Sequence, residues 1–167
     1  MELFEALKER RSYRAYEDKP VAEGVIKELL EAAVYAPSGM DAQPWAFVII
    51  EDQEYMKDLS DRAKKLVLAE LEKQGISDAD TNISDPAFNI YYEAPVLICI
   101  YADKNIDTYI QDASLAAQNL MLAAHGKGLA SCWIHDTLFF DNEIKAKYKL
   151  PANYAMVAPI VVGYPAG

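Results

Sequence analysis

An α+β fold is predicted for this chain on three observations. Several stretches repeat apolar residues at helical spacing, four shorter ones are apolar in the manner of strands, and the two kinds follow one another without a regular strand–helix–strand alternation. Residues 2–10 read as a short helix with Leu3, Phe4 and Leu7 on one face. Val25, Ile26, Leu29, Leu30, Ala33 and Val34 predict a second helix over 22–36, which Pro37 ends by forcing Ala36 out of the helical region. The loop 37–44 leads into a strand from Trp45 to Ile50. Met56, Leu59, Ala63, Leu66 and Val67 mark a third helix that stops at Gly75. Residues 75–87 are polar and turn-rich, the segment best suited to a mobile excursion. Ala94–Tyr101 is a near-continuous apolar strand, expected to be covered on both faces. Residues 108–127 form a helix that is apolar almost all round, with alanines at 113, 116, 117, 123 and 124. Such a helix is buried, and its small residues suit the close approach of another helix, including one from a partner subunit. Leu129–Ile134 is predicted as a strand, Asp141–Lys149 as a short helix and Tyr154–Val162 as a last strand.

A length of 167 residues fits one domain spanning 1–167, and a hydrophobic fraction of 52% fits a packed core. The net charge of −10 argues against nucleic acid or an anionic membrane as partner, because both repel it at long range. Acid stands near the N-terminus, at Glu2 and Glu5, where a secretory signal needs base, and no apolar run reaches the length of a membrane span. A soluble, cytoplasmic protein is therefore expected. Cys99 and Cys132 both fall in apolar strand-like runs, as small buried hydrophobes in a reducing compartment do.

Several common chemistries find no support. Gly126-Lys127-Gly128 follows a helix instead of preceding one and lacks the third glycine of a dinucleotide fingerprint. His125 and His135 have no cysteine or carboxylate at zinc-ligand spacing, and no nucleophile–base pair is evident. Asp78-x-Asp80-x-Asn82 begins like a calcium loop, but Ile83 and Asn89 stand where that loop needs glycine and glutamate. No metal site and no catalytic side chain are assigned. What remains is Arg10-Arg11-Ser12-Tyr13-Arg14, three guanidiniums and a hydroxyl in an acidic protein. Planar forked donors match phosphate oxygens, so a specific anion explains the cluster; surface ion pairs with Glu5, Glu9, Glu17 and Asp18 are the alternative. Because a helix C-terminus is partially negative, the anion has to be held by side chains and the following turn.

That cluster, followed by Ala36-Pro37-Ser38-Gly39-Met40-Asp41-Ala42-Gln43-Pro44-Trp45, resembles the FMN-dependent nitroreductase family. The resemblance extends through Asp18-Lys19-Pro20-Val21, Ala94-Pro95-Val96-Leu97-Ile98, Gln118-Asn119-Leu120-Met121-Leu122-Ala123-Ala124 and Gly163-Tyr164-Pro165, in the family's order. It implies a mixed, mainly antiparallel sheet flanked by helices, in a homodimer whose sites lie at the subunit interface. In the family's arrangement Arg10 and Ser12 hold the FMN phosphate, Arg11 assists, and Arg14 sits near the ring or ribityl chain. Pro37, Ser38, Gly39, Met40 and Gln43 of one chain then complete the pocket of the other. Trp133, Ile134 and His135 end a strand that lies beside the flavin in the family.

The implied reaction takes electrons from NADH or NADPH, stacked transiently on the open flavin face, to a nitroaromatic, quinone or similar small acceptor. Acceptor preference is expected around residues 75–92 and 133–140. A flavin-binding or flavin-handling protein with little turnover is the alternative, and an anion-sensing or structural protein without flavin a third. Two positions depart from the family. Asp41 replaces a frequent asparagine and is expected to point away from the phosphate or to pair with an arginine. Ala166-Gly167 stand where the family often has a further lysine or arginine on the phosphate, which implies weaker binding or compensation by Arg11.

Overall fold

The computed structural model describes residues 2–78 and 81–167. In chain order the main elements are α1 (Leu3–Glu9), α2 (Glu23–Val34), β1 (Trp45–Ile50), α3 (Gln53–Gln74), β2 (Val96–Asp103), α4 (Tyr109–Gly126), β3 (Ala130–Trp133), α5 (Asp141–Lys147) and β4 (Tyr154–Gly163). Every predicted helix and strand is present, and the short 3-10 turns Gly39–Asp41 and His135–Phe140 are additional to them. The predicted strand at Ala94 begins two residues later. Tyr92 and Glu93 turn the chain at φ 55° and 57°, and Pro95 cannot donate to a ladder, so pairing starts at Val96. Asp80 of the calcium-like string lies outside the described residues.

The four strands pair antiparallel in the order β1-β2-β4-β3. An added parallel contact comes from the arginine segment, where Ser12 bridges Ser131 on the outer edge of β3 and Tyr13 N–H donates to the Ser131 carbonyl at 3.1 Å. The fold is thus α+β, with a mainly antiparallel sheet.

The setting of β2 explains why its sequence is apolar from Val96 to Ala102. Val96, Ile98, Ile100 and Ala102 face one core cluster, while Leu97, Cys99 and Tyr101 face the other. Side chains alternate across a strand, so a central strand covered on both faces has no position left for a polar residue. On the first face lie α2 and α4, which contribute Ile26, Leu29 and Ala33, and Ala113, Ala116, Ala117, Leu120 and Ala124. The alanines let α4 lie low over the sheet. On the second face Met56, Leu59 and Ala63 of α3 and Ile144 of α5 close the layer. Both cysteines are buried and free, and burial pushes the Cys99 thiol up beyond its usual range. No helix among the described residues is long and apolar enough to cross a membrane.

Two junctions position the rest. Asp52 caps α3 by accepting from Tyr55 N–H at 3.0 Å, and Gly75 ends that helix at φ 67°. Gly163 has no room for a side chain, since a Cβ there would lie 2.6 Å from Pro95 Cδ and 2.8 Å from Tyr16 Cδ1. That close approach holds the segment after the arginines on the end of β4, where Glu17 N–H donates to the Tyr164 carbonyl at 2.9 Å.

Arg62 of α3 grips Glu143 of α5 in a bidentate pair, Nη1 to Oε2 at 2.7 Å and Nη2 to Oε1 at 2.8 Å, and Tyr55 Oη donates to Oε1 at 3.0 Å. The Arg62 hydrogen bonds hold the Glu143 carboxyl below its ordinary value of 4.5, against the opposing effect of burial. The folded chain therefore keeps this carboxylate ionised where the unfolded chain has begun to protonate it. The stability it contributes is complete at neutral pH and is lost as pH falls below about 4.5 and through the lower folded value. Glu143→Gln is predicted to cost roughly 0.5–1 kcal/mol at pH 7, the range for a half-exposed pair. Urea denaturation at pH 7 and pH 3 checks this: the gap between variant and wild type should shrink at pH 3.

Candidate functional site

Pairing on the edge of β3 decides where the arginines point. Ser12 and Tyr13 are fixed to Ser131, so Arg10 and Arg14 fall on either side of that anchor. Each lines a cavity, and the two cavities follow one another along β3. The first, about 310 Å³, is lined by Glu9, Arg10, Arg11, Tyr13, His125, Gly128, Leu129, Ala130, Ser131 and Pro165. The second, about 200 Å³, is lined by Arg14 and by Cys132, Trp133, Ile134, His135 and Asp136, and is roofed by Thr81, Ile83, Phe88, Ile90 and Tyr92. The two segments expected to govern acceptor choice, 75–92 and 133–140, thus meet over the Arg14 cavity.

The arginines do not behave alike. Arg10 Nη1 is buried and has no hydrogen-bond partner in the protein. Arg11 is exposed and turns back on its own helix, its Nη1 donating to the Lys8 carbonyl at 2.6 Å and the Arg10 carbonyl at 2.9 Å. It caps α1, which is the favourable use of a cation at a helix C-terminus. Arg14 is exposed, with one long contact from Nη1 to the Ser12 carbonyl at 3.4 Å. The Ser12 hydroxyl and the Arg14 and Arg10 charges act on the Cys132 thiol, but burial outweighs them and raises its pKa.

Within the chain the second motif lies elsewhere. The loop after Pro37 is pinned to the start of α4: Gly39 N–H donates to Asp112 Oδ1 at 3.1 Å, and Thr108 Oγ1 donates to Asp112 Oδ2 at 2.8 Å. A Cβ on Gly39 would lie 2.4 Å from Thr108 Oγ1, so only glycine permits this docking. Ser38 Oγ accepts from Gln43 N–H at 3.0 Å and closes the turn. Met40, Asp41 and Gln43 take positive φ of 52°, 54° and 45°, and Met40 is 101% exposed. Such left-handed residues in succession are costly unless the surroundings fix them. Asp41 is exposed on this loop.

Pro37, Ser38, Gly39, Met40 and Gln43 therefore gather at one end of α4, while Arg10 sits with His125 and Gly128 at the other. Eighteen helical residues separate them, about 27 Å of rise. The structure brings Arg14 together with Trp133, Ile134 and His135, places Arg10 in the neighbouring cavity with Ser12 paired to β3 between them, and leaves the loop residues out of both cavities.

Sequence reasoning missed Asp112 and His125. An aspartate inside an otherwise apolar, alanine-rich helix, four residues after Thr108, was the available signal for the first. For the second it was a histidine in the last turn of that helix, just before Gly126-Lys127-Gly128.

Asp112→Ala should free the loop, since it strips partners from the Gly39 N–H and the Thr108 hydroxyl. A loss of about 1–3 kcal/mol is predicted from unmade buried hydrogen bonds, with faster proteolytic cleavage between 37 and 44. Limited proteolysis followed by mass analysis reads both the rate and the position.

The family model for the nitroreductase family matches residues 7–164. A protein from Methanothermobacter thermautotrophicus, provisionally named NADH dehydrogenase/NAD(P)H nitroreductase, is 30% identical over 172 residues, covering 99% of this chain and 78% of that protein. A nitroreductase from Bacteroides fragilis, solved with bound FMN, superposes with a TM-score of 0.80 at 28% identity, over 99% of this chain and 89% of that one. An FMN-dependent nitroreductase from Clostridium difficile gives a TM-score of 0.74 at 31% identity, over 99% and 88%. Since the match runs from α1 through the end of β4 and includes both motifs, the chain belongs to the nitroreductase family.

Proposed function

We propose that the protein is an FMN-dependent oxidoreductase, passing electrons from NADH or NADPH to a nitroaromatic, quinone or similar small acceptor, with its flavin held between two copies of the chain. The observation that carries this is the unpartnered, buried Nη1 of Arg10 in a cavity beside β3. A buried guanidinium nitrogen without a partner costs free energy, and an anion in the cavity removes that cost. The second cavity, three to four strand residues further on, is about 10–13 Å away along β3, a spacing that suits a phosphate and a ring joined by a polyol.

Arg10 and Ser12 then hold the phosphate end, and Arg14 faces the ring end, where its charge favours the reduced, negatively charged form. Arg11 supports the arrangement by fixing the end of α1. Trp133, Ile134 and His135 line the ring cavity, and Phe88 and Tyr92, packed edge to face with centroids 5.8 Å apart, form its roof. When bound, FMN supplies the acceptance of a hydride from a reduced nicotinamide and its passage to an acceptor. The chain's own contribution is to bind, orient and shield, which accounts for a site without a nucleophile–base pair.

The separation along α4 supports the homodimer. In one copy the loop at 37–43 is too far from Arg10 to share its ligand, whereas a second copy in antiparallel register delivers the loop to the opposite site. The exposed apolar side chains agree with this. Leu3 and Phe4 are 63% and 73% exposed on α1, and Ile110 and Leu115 project from α4 as the docked Met40 does from its loop. One chain leaves these side chains in water, and a partner copy covers them.

The first test is the visible absorption spectrum of purified protein after FMN addition and desalting, followed by NADH and NADPH oxidation with a nitroaromatic or quinone acceptor. Retained flavin bands and acceptor-dependent oxidation are expected. Bands without oxidation would mark a flavin-holding protein instead, and a protein that cannot be reconstituted would remove the proposal. Arg10→Ala is predicted to weaken FMN binding roughly ten- to a hundredfold. Arg14→Ala is predicted to slow reduction by the nicotinamide in stopped-flow mixing, and an unchanged rate would remove its assignment to the ring.

A further inference from the structure

The Arg10 cavity holds a second polar atom without a partner. His125 lies in the last turn of α4, lines the same cavity, and buries Nε2 with no hydrogen-bond partner in the protein. A buried polar atom left unmet is costly, and two in one cavity add to that cost unless a single ligand satisfies both. The surroundings narrow what that ligand is. From α1 and the turn after it come Glu9, Arg10, Arg11 and Tyr13. Glu9 is exposed, Arg11 is committed to the Lys8 and Arg10 carbonyls, and the Tyr13 hydroxyl donates to the Gly167 carbonyl at 3.0 Å. β3 adds Ser131 and no charge. Lys127, two residues on, is paired with Glu28. Arg10 and His125 are thus the two cavity residues with a buried nitrogen that has no partner.

The end of α4 would ordinarily repel an anion, because its last carbonyls are partially negative. Here three of the last four already accept hydrogen bonds. Lys127 N–H donates to the Ala123 carbonyl at 3.1 Å, Leu129 N–H to Ala124 at 2.9 Å and Gly128 N–H to His125 at 3.0 Å, with Gly128 at φ 75° folding the turn. Of the α4 residues, His125 is the one that lines the cavity.

We infer that His125 is a second phosphate-binding residue: its Nε2–H and the Arg10 guanidinium grip the terminal phosphate monoester, so that the chain selects FMN over riboflavin. This rests on the FMN reading above and adds a residue outside both sequence motifs. Dissociation constants for FMN and riboflavin, from flavin fluorescence quenching, test it in wild type, His125→Ala, His125→Gln and Arg10→Ala, after thermal melts establish folding. Wild type is expected to bind FMN more tightly than riboflavin. His125→Ala should weaken FMN roughly tenfold or more and leave riboflavin within about twofold, while His125→Gln, whose amide still donates, recovers part of the loss. If the alanine variant does not fold, a FMN-selective loss in the glutamine variant carries the same conclusion. An unchanged FMN constant beside a weakened Arg10→Ala overturns the role of His125 and leaves the FMN reading standing. Equal losses for both flavins also overturn it, since packing alone moves both together. Wild type that binds neither flavin overturns the FMN reading and this inference with it.

Discussion

The constraint on which the site depends is the length of α4. A helix of 18 residues, buried along one face, carries the Gly39 loop at its start and the Arg10–His125 cavity at its end. Its alanine face packs flat on the sheet, so neither end is free to swing toward the other. Two groups of residues that suit one cofactor are thereby held apart in one chain. In the proposed homodimer symmetry resolves this, because a two-fold axis turns one chain's loop into the other chain's lid. The same packing makes the separation rigid, and rigidity is what a site assembled from two copies requires.

At the other edge of the sheet a small number of main-chain contacts does comparable work. Ser12 and Tyr13 join the free edge of β3, and Glu17 joins the end of β4 across Gly163. This converts a five-residue string into two arginines facing successive cavities. The intervening Tyr13 packs edge to face on Tyr16, centroids 6.4 Å apart, and Tyr16 Oη donates to the Tyr13 carbonyl at 2.9 Å. Burial raises the Tyr16 phenol well beyond its usual range, which keeps on it the proton that it donates. An exposed basic run in an acidic chain is ordered here by backbone pairing and aromatic packing, not by surface ion pairs.

Much of this was legible in the sequence, for reasons that differ by element. β1 was found at its true ends because Pro44 precedes it and polar residues Glu51 and Asp52 follow. α3 ended at Gly75 as a left-handed cap should, and β2 was recognisable as doubly covered because no charged residue interrupts it before Asp103 at its end. The arginines and the Pro37 loop stood out as strings, since each depends on neighbouring residues. Asp112 and His125 did not, because their roles come from contacts across 73 residues of sequence in one case and from a shared cavity in the other. Nor could periodicity show that Arg11 spends its donors on its own helix, which follows from how α1 ends. The 3-10 turn at His135–Phe140 was likewise hidden, since a short tight turn has no period long enough to detect.

Native mass spectrometry of the FMN-reconstituted protein tests the central claim, that one chain alone cannot complete the site. The account predicts that flavin rides only on the two-chain species, one FMN per chain, and that dissociated chains of 18.6 kDa carry none. Single chains that retain FMN at full stoichiometry would contradict it, and would mean that the loop at the far end of α4 has another purpose.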